Sequence, residues 1–578
     1  MSDLHLTQRE LDIMGVLWER GEATVTEVRD AIDPDLSYTS ISSMIRTLEL
    51  KGYVSHRRGE GKTHVYFPVI EAEKAGESVL KRVLEKVYGG SPIKLLAHLM
   101  EQKRIPEKEL ARMRELLKKK RSALDASPGW RDHLAPMSKR LFFWSITSAL
   151  AGFLFGFDTV VISGAEQRIQ ALWSLSPAVH GVALGAALYG TVLGSLTGGF
   201  PADRFGRKPT LLWVGLLYIV SALGSAIAWN VEVFILARFI GGVGIGVSTV
   251  VAPMYISEIA PPAYRGRLAG MFQFNIVFGI VVAFLSNALL AGIGENAWRW
   301  MLGVAAIPSI IYTLMCLAIP ESPRWLLTRR ADRQGALQVL AQAEPQVSEA
   351  DLNRKADEIL AASTQQTSAR GFWSMKLRVP IMLAFLVAFF NQLSGINAIL
   401  YFAPRIFQMT GLGAKAALLQ SVGIGITNLI FTFVGLWLID RLGRRTLLTI
   451  GSFGYIASLG LCAWAFFTHH YAIVPACIFA FIAAHAVGQG TVIWVLISEI
   501  FPNRYRAAGQ SLGSATHWIF AALLTTFFPA AVGVFAPGYI FSFFCFMMVL
   551  QLIWVRTMVP ETKGVPLEEI QRRLGVAA

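Results

Sequence analysis

Two ionisable residues lie in stretches that are otherwise apolar: Asp158 within GFLFGFDTVVISG and Arg238 within FILARFIGGVGIGV. A charge held in such surroundings is costly, so both are candidates for binding or moving charge. A second grouping occurs twice. GGFPADRFGRK at 198–208 matches GLWLIDRLGRR at 435–445 at an offset of 237, SEIAPPAYR at 257–265 matches SEIFPNRYR at 498–506 at 241, and PES at 320 recurs as PET at 560 at 240. The carboxylates and guanidiniums so duplicated can form ion pairs at helix ends: Asp203, Arg204, Arg207, Glu258 and Arg265, then Asp440, Arg441, Arg444, Glu499 and Arg506. A third set is of another kind. Thr39, Ser40, Ser42, Ser43 and Arg46 share the polar side of one short helical pattern, and Arg57, Arg58 and Lys62 flank a nearby turn together with His56. Small hydroxyls and an arginine reach base edges in a major groove, and basic turns lie along phosphates.

These groups belong to two different kinds of chain. Of 578 residues, 54% are hydrophobic and 16% charged, with mean hydropathy +0.48, which excludes a wholly soluble or disordered protein. The first 140 residues carry 25 Lys+Arg and 21 Asp+Glu, and the remaining 438 carry 28 and 18. The boundary therefore falls near Met137. The four cysteines, Cys316, Cys462, Cys477 and Cys545, sit in apolar runs without Cys-x-x-Cys or Cys/His spacing, which argues against a disulfide framework or a zinc site. No cofactor or metal is expected. The first 20 residues are charged and amphipathic rather than a secretory h-region, so the amino end is expected to stay in the cytoplasm.

In the first part, apolar residues recur at helical spacing over 8–20, 24–32 and 38–51. Thr24 with Glu27 forms a capping box, Ser37 can cap the third helix, and Gly52 ends it. Tyr53–Arg58 and Thr63–Phe67 alternate around Gly59-Glu60-Gly61-Lys62 as a hairpin. Three helices and a hairpin predict a winged helix over 1–70, followed by a helical region at 71–124 and a linker at 125–140.

In the second part, twelve apolar stretches are long enough to span a bilayer, centred near residues 152, 189, 219, 243, 280, 310, 390, 427, 457, 484, 521 and 548. A polar loop at 321–378 separates a half at 141–320 from one at 379–560, leaving a tail at 561–578. Loops on one side hold 19 Lys+Arg and those on the other hold Arg168, Arg299, Arg405 and Lys415, so the positive-inside rule puts both termini in the cytoplasm. Repeated six-helix halves flank a midplane site in secondary transporters, and no Walker motif is present to power movement.

The amino-terminal strings LTQRELDIMGVLWERGEATVTEVRDAI and YTSISSMIRTLELKGYVSHRR resemble the penicillinase-repressor (BlaI/MecI) family over about 5–122. That resemblance implies operator DNA as a partner and a homodimer through 71–124. The remainder, about 140–575, resembles the sugar-porter family of the major facilitator superfamily through its duplicated Asp-Arg-x-Gly-Arg loops, GFLFGFDTVVISG, PESPRWL, QLSGIN and PETKG.

The two resemblances together imply an all-α membrane protein with a twelve-helix major facilitator fold in two pseudo-symmetric halves, preceded by a small winged helix-turn-helix domain. The porter resemblance implies transport of a monosaccharide across the bacterial inner membrane, favouring proton symport over facilitated diffusion, and no enzyme activity. Asp158 and Arg238 become the proton-coupling pair, and the loop residues become an inner gate. The substrate site falls to Gln273, Asn391, Gln392, Asn397, Tyr401, Asn428, Trp494, His517 and Trp518. Ala305 stands where some symporters carry a further acid, Thr491 where Pro is common, and His517 where Gln is common. Two other readings remain open: a membrane-tethered regulator that senses sugar, and an artefactual joining of two adjacent genes before Met137-Ser138-Lys139-Arg140.

Overall fold

Helical spacing in the amino-terminal part gives each helix one apolar stripe, and the stripes face one another. The structure is a computed structural model describing residues 6–59, 63–72, 80, 137–364, 372–502, 504–565 and 567–575. It divides into two compact units, Met1–Arg131 and Asp132–Ala578. In the first unit α1 is Gln8–Arg20, α2 Val25–Ile32 and α3 Tyr38–Leu50. Thr7 with Glu10 and Thr24 with Glu27 form reciprocal capping boxes, and the Ser37 side chain accepts from the Ser40 N–H at the start of α3. Gly52, at φ 75°, turns the chain out of α3 into the hairpin.

The hairpin strands β2 (Val54–Arg58) and β3 (His64–Pro68) pair antiparallel, from Val54 opposite Pro68 to Arg58 opposite His64. A two-residue strand, β1 (Ala23–Thr24), covers the other edge of β3 and gives the order β1-β3-β2. Two residues are too few to show alternation, so β1 has no sequence signature. Ile13, Met14, Leu17, Val28, Ile41, Ile45, Leu48 and Tyr66 form the core. This is a winged helix. The expected dimerisation helices lie almost wholly outside the described residues, as do Lys62 and the linker up to 136.

Among the described residues, the second unit contains twelve helices long and apolar enough to cross a membrane. The first six are span 1 (Lys139–Gly164), span 2 (Pro177–Thr197), span 3 (Arg207–Ile227), span 4 (Val231–Ile259), span 5 (Gly270–Leu290) and span 6 (Ala297–Ala318). The second six are span 7 (Met375–Tyr401), span 8 (Ala414–Leu442), span 9 (Arg444–Phe467), span 10 (Tyr471–Ile500), span 11 (Arg506–Val534) and span 12 (Pro537–Met558). The polar segment between the halves also folds: Arg333–Ala343 and Glu349–Thr364 are helices, tied by Arg333 to Asp357 and by Lys355 to Glu344.

Lipid tails give spans no hydrophobic reason to associate, so close backbone approach must do it. Glycines supply that approach. A Cβ on Gly156 of span 1 would stand 1.8 Å from the Ile276 carbonyl oxygen of span 5, and one on Gly242 of span 4 would stand 1.9 Å from that of Ala187 in span 2. The two halves meet the same way. A Cβ on Gly181 of span 2 would lie 1.9 Å from the Thr526 carbonyl oxygen of span 11, and on the same two spans the Tyr189 and Thr526 hydroxyls are 3.0 Å apart.

Candidate functional site

Asp158 and Arg238 are both buried and in contact across spans 1 and 4. One Arg238 amino group donates to the Asp158 carboxylate at 2.6 Å and the other to the Asp158 backbone carbonyl at 3.0 Å. Among the described residues the second carboxylate oxygen of Asp158 and Nε of Arg238 have no hydrogen-bond partner. Of the two carboxylate oxygens, only one is thus engaged.

A cluster of amides and aromatics lies in the other half. Gln392 donates to Asn391 at 2.9 Å and accepts from Asn397 at 2.7 Å, all three on span 7. Its amide nitrogen also lies 3.2 Å from the ring nitrogens of His517 on span 11. The His517 ring packs 5.4 Å from Trp494 of span 10 and 4.7 Å from Trp518, whose ring lies 5.4 Å from Phe155 of span 1. Neutral amides beside aromatic faces suit a polyhydroxylated ring, whose hydroxyls need replacement hydrogen bonds and whose C–H face needs an apolar partner.

Gln273, Tyr401 and Asn428 make no hydrogen bond with this cluster among the described residues. Tyr401 and Asn428 are buried, and Gln273 is half-buried. Thr491 spends its hydroxyl on the Ala486 carbonyl at 2.6 Å, against Gly435 of span 8. That bond lies where span 10 is broken at Gly488, a backbone role rather than a place in the cluster.

The duplicated loops form two copies of one network. Arg207 grips Glu258 with two nitrogens at 2.9 and 2.8 Å and reaches Asp203 at 3.2 Å, and Arg444 grips Glu499 at 3.1 and 2.8 Å and reaches Asp440 at 3.2 Å. Both ion pairs stay within their own half. Arg204 and Arg441 lie over neighbouring rings, Phe205 and Trp437. Among the described residues Arg265 donates to the Ala260 carbonyl at 3.5 Å, and the buried Nε of Arg506 has no partner.

Four further members escaped the sequence reading: Glu321, Ser322, Glu561 and Thr562. Glu321 accepts from the Arg207 N–H, and Ser322 donates to Glu258 at 2.6 Å. Glu561 accepts from the Arg444 N–H, and Thr562 donates to Glu499 at 2.6 Å. Burial pushes the Glu321 carboxyl up, against the pull of backbone N–H groups from Ser322, Arg207 and Lys208. Gly206 and Gly443 make room for these glutamates at φ 109° and 92°, where a Cβ would come within 2.2 Å of Glu321 and 2.4 Å of Glu561. The signal was the repeat of PES as PET.

In the winged helix, Thr39, Ser40, Ser43 and Arg46 are exposed on α3 and Ser42 is half-buried. Arg58 is exposed at the hairpin, whereas Arg57 is paired with Glu22 at 2.5 Å and His56 with Glu49 at 2.5 Å.

Residues 144–574 match the sequence profile of the family described as sugar (and other) transporter. The chain belongs to that family. It is 35% identical over 436 residues to the arabinose-proton symporter of Bacillus subtilis, a match covering 74% of this chain and 94% of that protein. It is 31% identical over 475 residues to the D-xylose-proton symporter of Escherichia coli, covering 75% and 96%. In structure it is similar to the xylose transporter XylE of E. coli in a partially occluded inward-open conformation, with TM-score 0.67 and 29% identity over 74% of this chain and all of that one. Residues 6–119 match the penicillinase-repressor family. The protein is therefore a multi-pass membrane protein of the sugar (and other) transporter family, with the major facilitator fold, carrying a penicillinase-repressor-type winged helix.

Proposed function

We propose that the protein couples uptake of a monosaccharide to entry of a proton at Asp158. The observation that carries this is that Arg238 engages only one of the two Asp158 carboxylate oxygens, buried in a chain whose relatives are named as proton symporters of arabinose and xylose. When helix movement parts Arg238 from the carboxylate, a proton can take the place of the guanidinium beside it. A protonated Asp158 gives up its ionic hold on Arg238, which keeps only its bond to the Asp158 backbone carbonyl, and spans 1 and 4 become freer to shift. Sugar held by Gln392, Asn397, Trp494 and His517 then moves in the same cycle. The Arg207 and Arg444 networks tie helix ends on the face that the positive-inside rule places in the cytoplasm of a bacterial inner membrane, where both termini also lie. The amino-terminal domain binds operator DNA through α3, as a dimer paired through 71–124.

The test is sugar accumulation in proteoliposomes under an imposed proton gradient. Accumulation above equilibrium that vanishes when the gradient is collapsed supports symport. Accumulation that persists would overturn it.

A further inference from the structure

A second buried charge cluster sits at the end of the bundle opposite the duplicated loops, and neither the substrate cluster nor the coupling pair uses it. Glu166 follows span 1 and is fully buried, as is His180 in the first turn of span 2. His180 Nε2 lies 2.9 Å from one Glu166 oxygen, and Nδ1 of the same ring has no partner. From the other half, Arg405, just beyond span 7, donates to both Glu166 oxygens at 2.9 and 2.7 Å and to Gln170 at 2.6 Å. This ion pair crosses between the halves, unlike those of Arg207 and Arg444. At the same level, Gly181 brings span 2 against the Thr526 carbonyl of span 11, so the backbone seam and the ion pair close one mouth together.

We propose that Glu166 and Arg405, with His180 holding the carboxylate, form the latch that closes this mouth and must part each time sugar enters or leaves through it. The proposal rests on the transport reading. A buried two-nitrogen contact is costly to break unless both partners are rehydrated, and rehydration is available only once the halves separate. The latch is thus all-or-none: it favours the closed mouth and gives nothing to partly open forms. A packing role alone would not need a cross-half charge pair, since the Gly181 seam already supplies contact.

The test uses the full chain in nanodiscs, with spin labels at Leu172 and Lys415 across this mouth and at Phe205 and Leu442 across the opposite face. Arg405→Ala and, separately, the isosteric Glu166→Gln should raise the ratio of open to closed mouth by about tenfold or more. Distances across the opposite face should shorten in the same samples, because the halves rock as units. Arg405→Lys, which keeps the charge but not the fork, should fall between parent and Ala variant. Unchanged distances overturn the latch, as does broadening at both faces, which would mark general loosening. Sugar uptake by the parent protein reports separately on the transport reading, since the distances are read without substrate.

Discussion

Arg238 reaches Asp158 at two chemically different places, the carboxylate at 2.6 Å and the backbone carbonyl at 3.0 Å. The second contact survives loss of the side-chain charge, so the arginine keeps an anchor on span 1 after the carboxylate is neutralised. Asp158→Asn is therefore expected to fold, to lose uphill accumulation, and to retain counterflow exchange of labelled sugar. Loss of counterflow together with accumulation would show that the residue binds sugar instead.

In the amide cluster, Gln392→Ala leaves the Asn397 donor and the Asn391 acceptor without their partner, in addition to removing the proposed bond to sugar. The cost is on the order of 1–3 kcal/mol, or roughly five- to 150-fold in affinity. Trp494→Ala should weaken binding by a similar amount through loss of a stacking face. Equilibrium binding of labelled sugar to purified protein checks both.

Gly206→Ala forces a side chain into a left-handed conformation and into the Glu321 carboxylate. About 1–3 kcal/mol of strain is expected from the backbone alone. A lower melting temperature, with retained sugar binding in the surviving protein, is the expected outcome. Gly443→Ala should behave alike because Glu561 occupies the same place in the other half.

Burial works to raise the Glu10 carboxyl, but the Lys51 ammonium at 2.6 Å and the Thr7 N–H outweigh it, and Glu10 sits below the ordinary 4.5. A depressed acid contributes stability that is fully present above its unfolded value and lost as pH falls through its folded value. Protection factors at α1 and α3 amides in the full chain, corrected for the intrinsic exchange rate, should fall below about pH 4.5. Glu10→Gln should raise exchange at neutral pH and flatten that acid dependence.

On the winged helix, Arg46→Ala should reduce discrimination between operator and unrelated duplex, because Arg46 is exposed on α3 among the hydroxyls. Arg58→Ala should weaken both alike. Arg57→Ala should do less than Arg58→Ala, since Glu22 already occupies its guanidinium. Binding titrations at several salt concentrations separate these outcomes.

Local regularities in the sequence carried much of this. Twelve apolar runs, the Thr24–Glu27 capping box and each copy of the charged loop sit within a few dozen residues, and each is visible as spacing. The pairing of Asp158 with Arg238, 80 residues apart, came from the cost of burying each charge and from family resemblance. Glu166 with Arg405 had neither aid. The partners are 239 positions apart in different halves, and Arg405 read as one of the few basic residues on its side of the membrane. Glu321 differed again: the repeat of PES as PET marked its position, but its partners are backbone N–H groups, which every sequence has, so the side-chain pattern assigned it no role.

The two copies of the loop network differ in wetness. The Glu258 side chain is 6% exposed and Asp203 49%, against 27% for Glu499 and 83% for Asp440. Dissolved ions screen exposed charges within about 10 Å at 0.1 M and reach buried ones far less. Rising ionic strength should therefore slacken the carboxy-terminal copy first, and a protein built from two repeated halves acquires an order in which those halves let go.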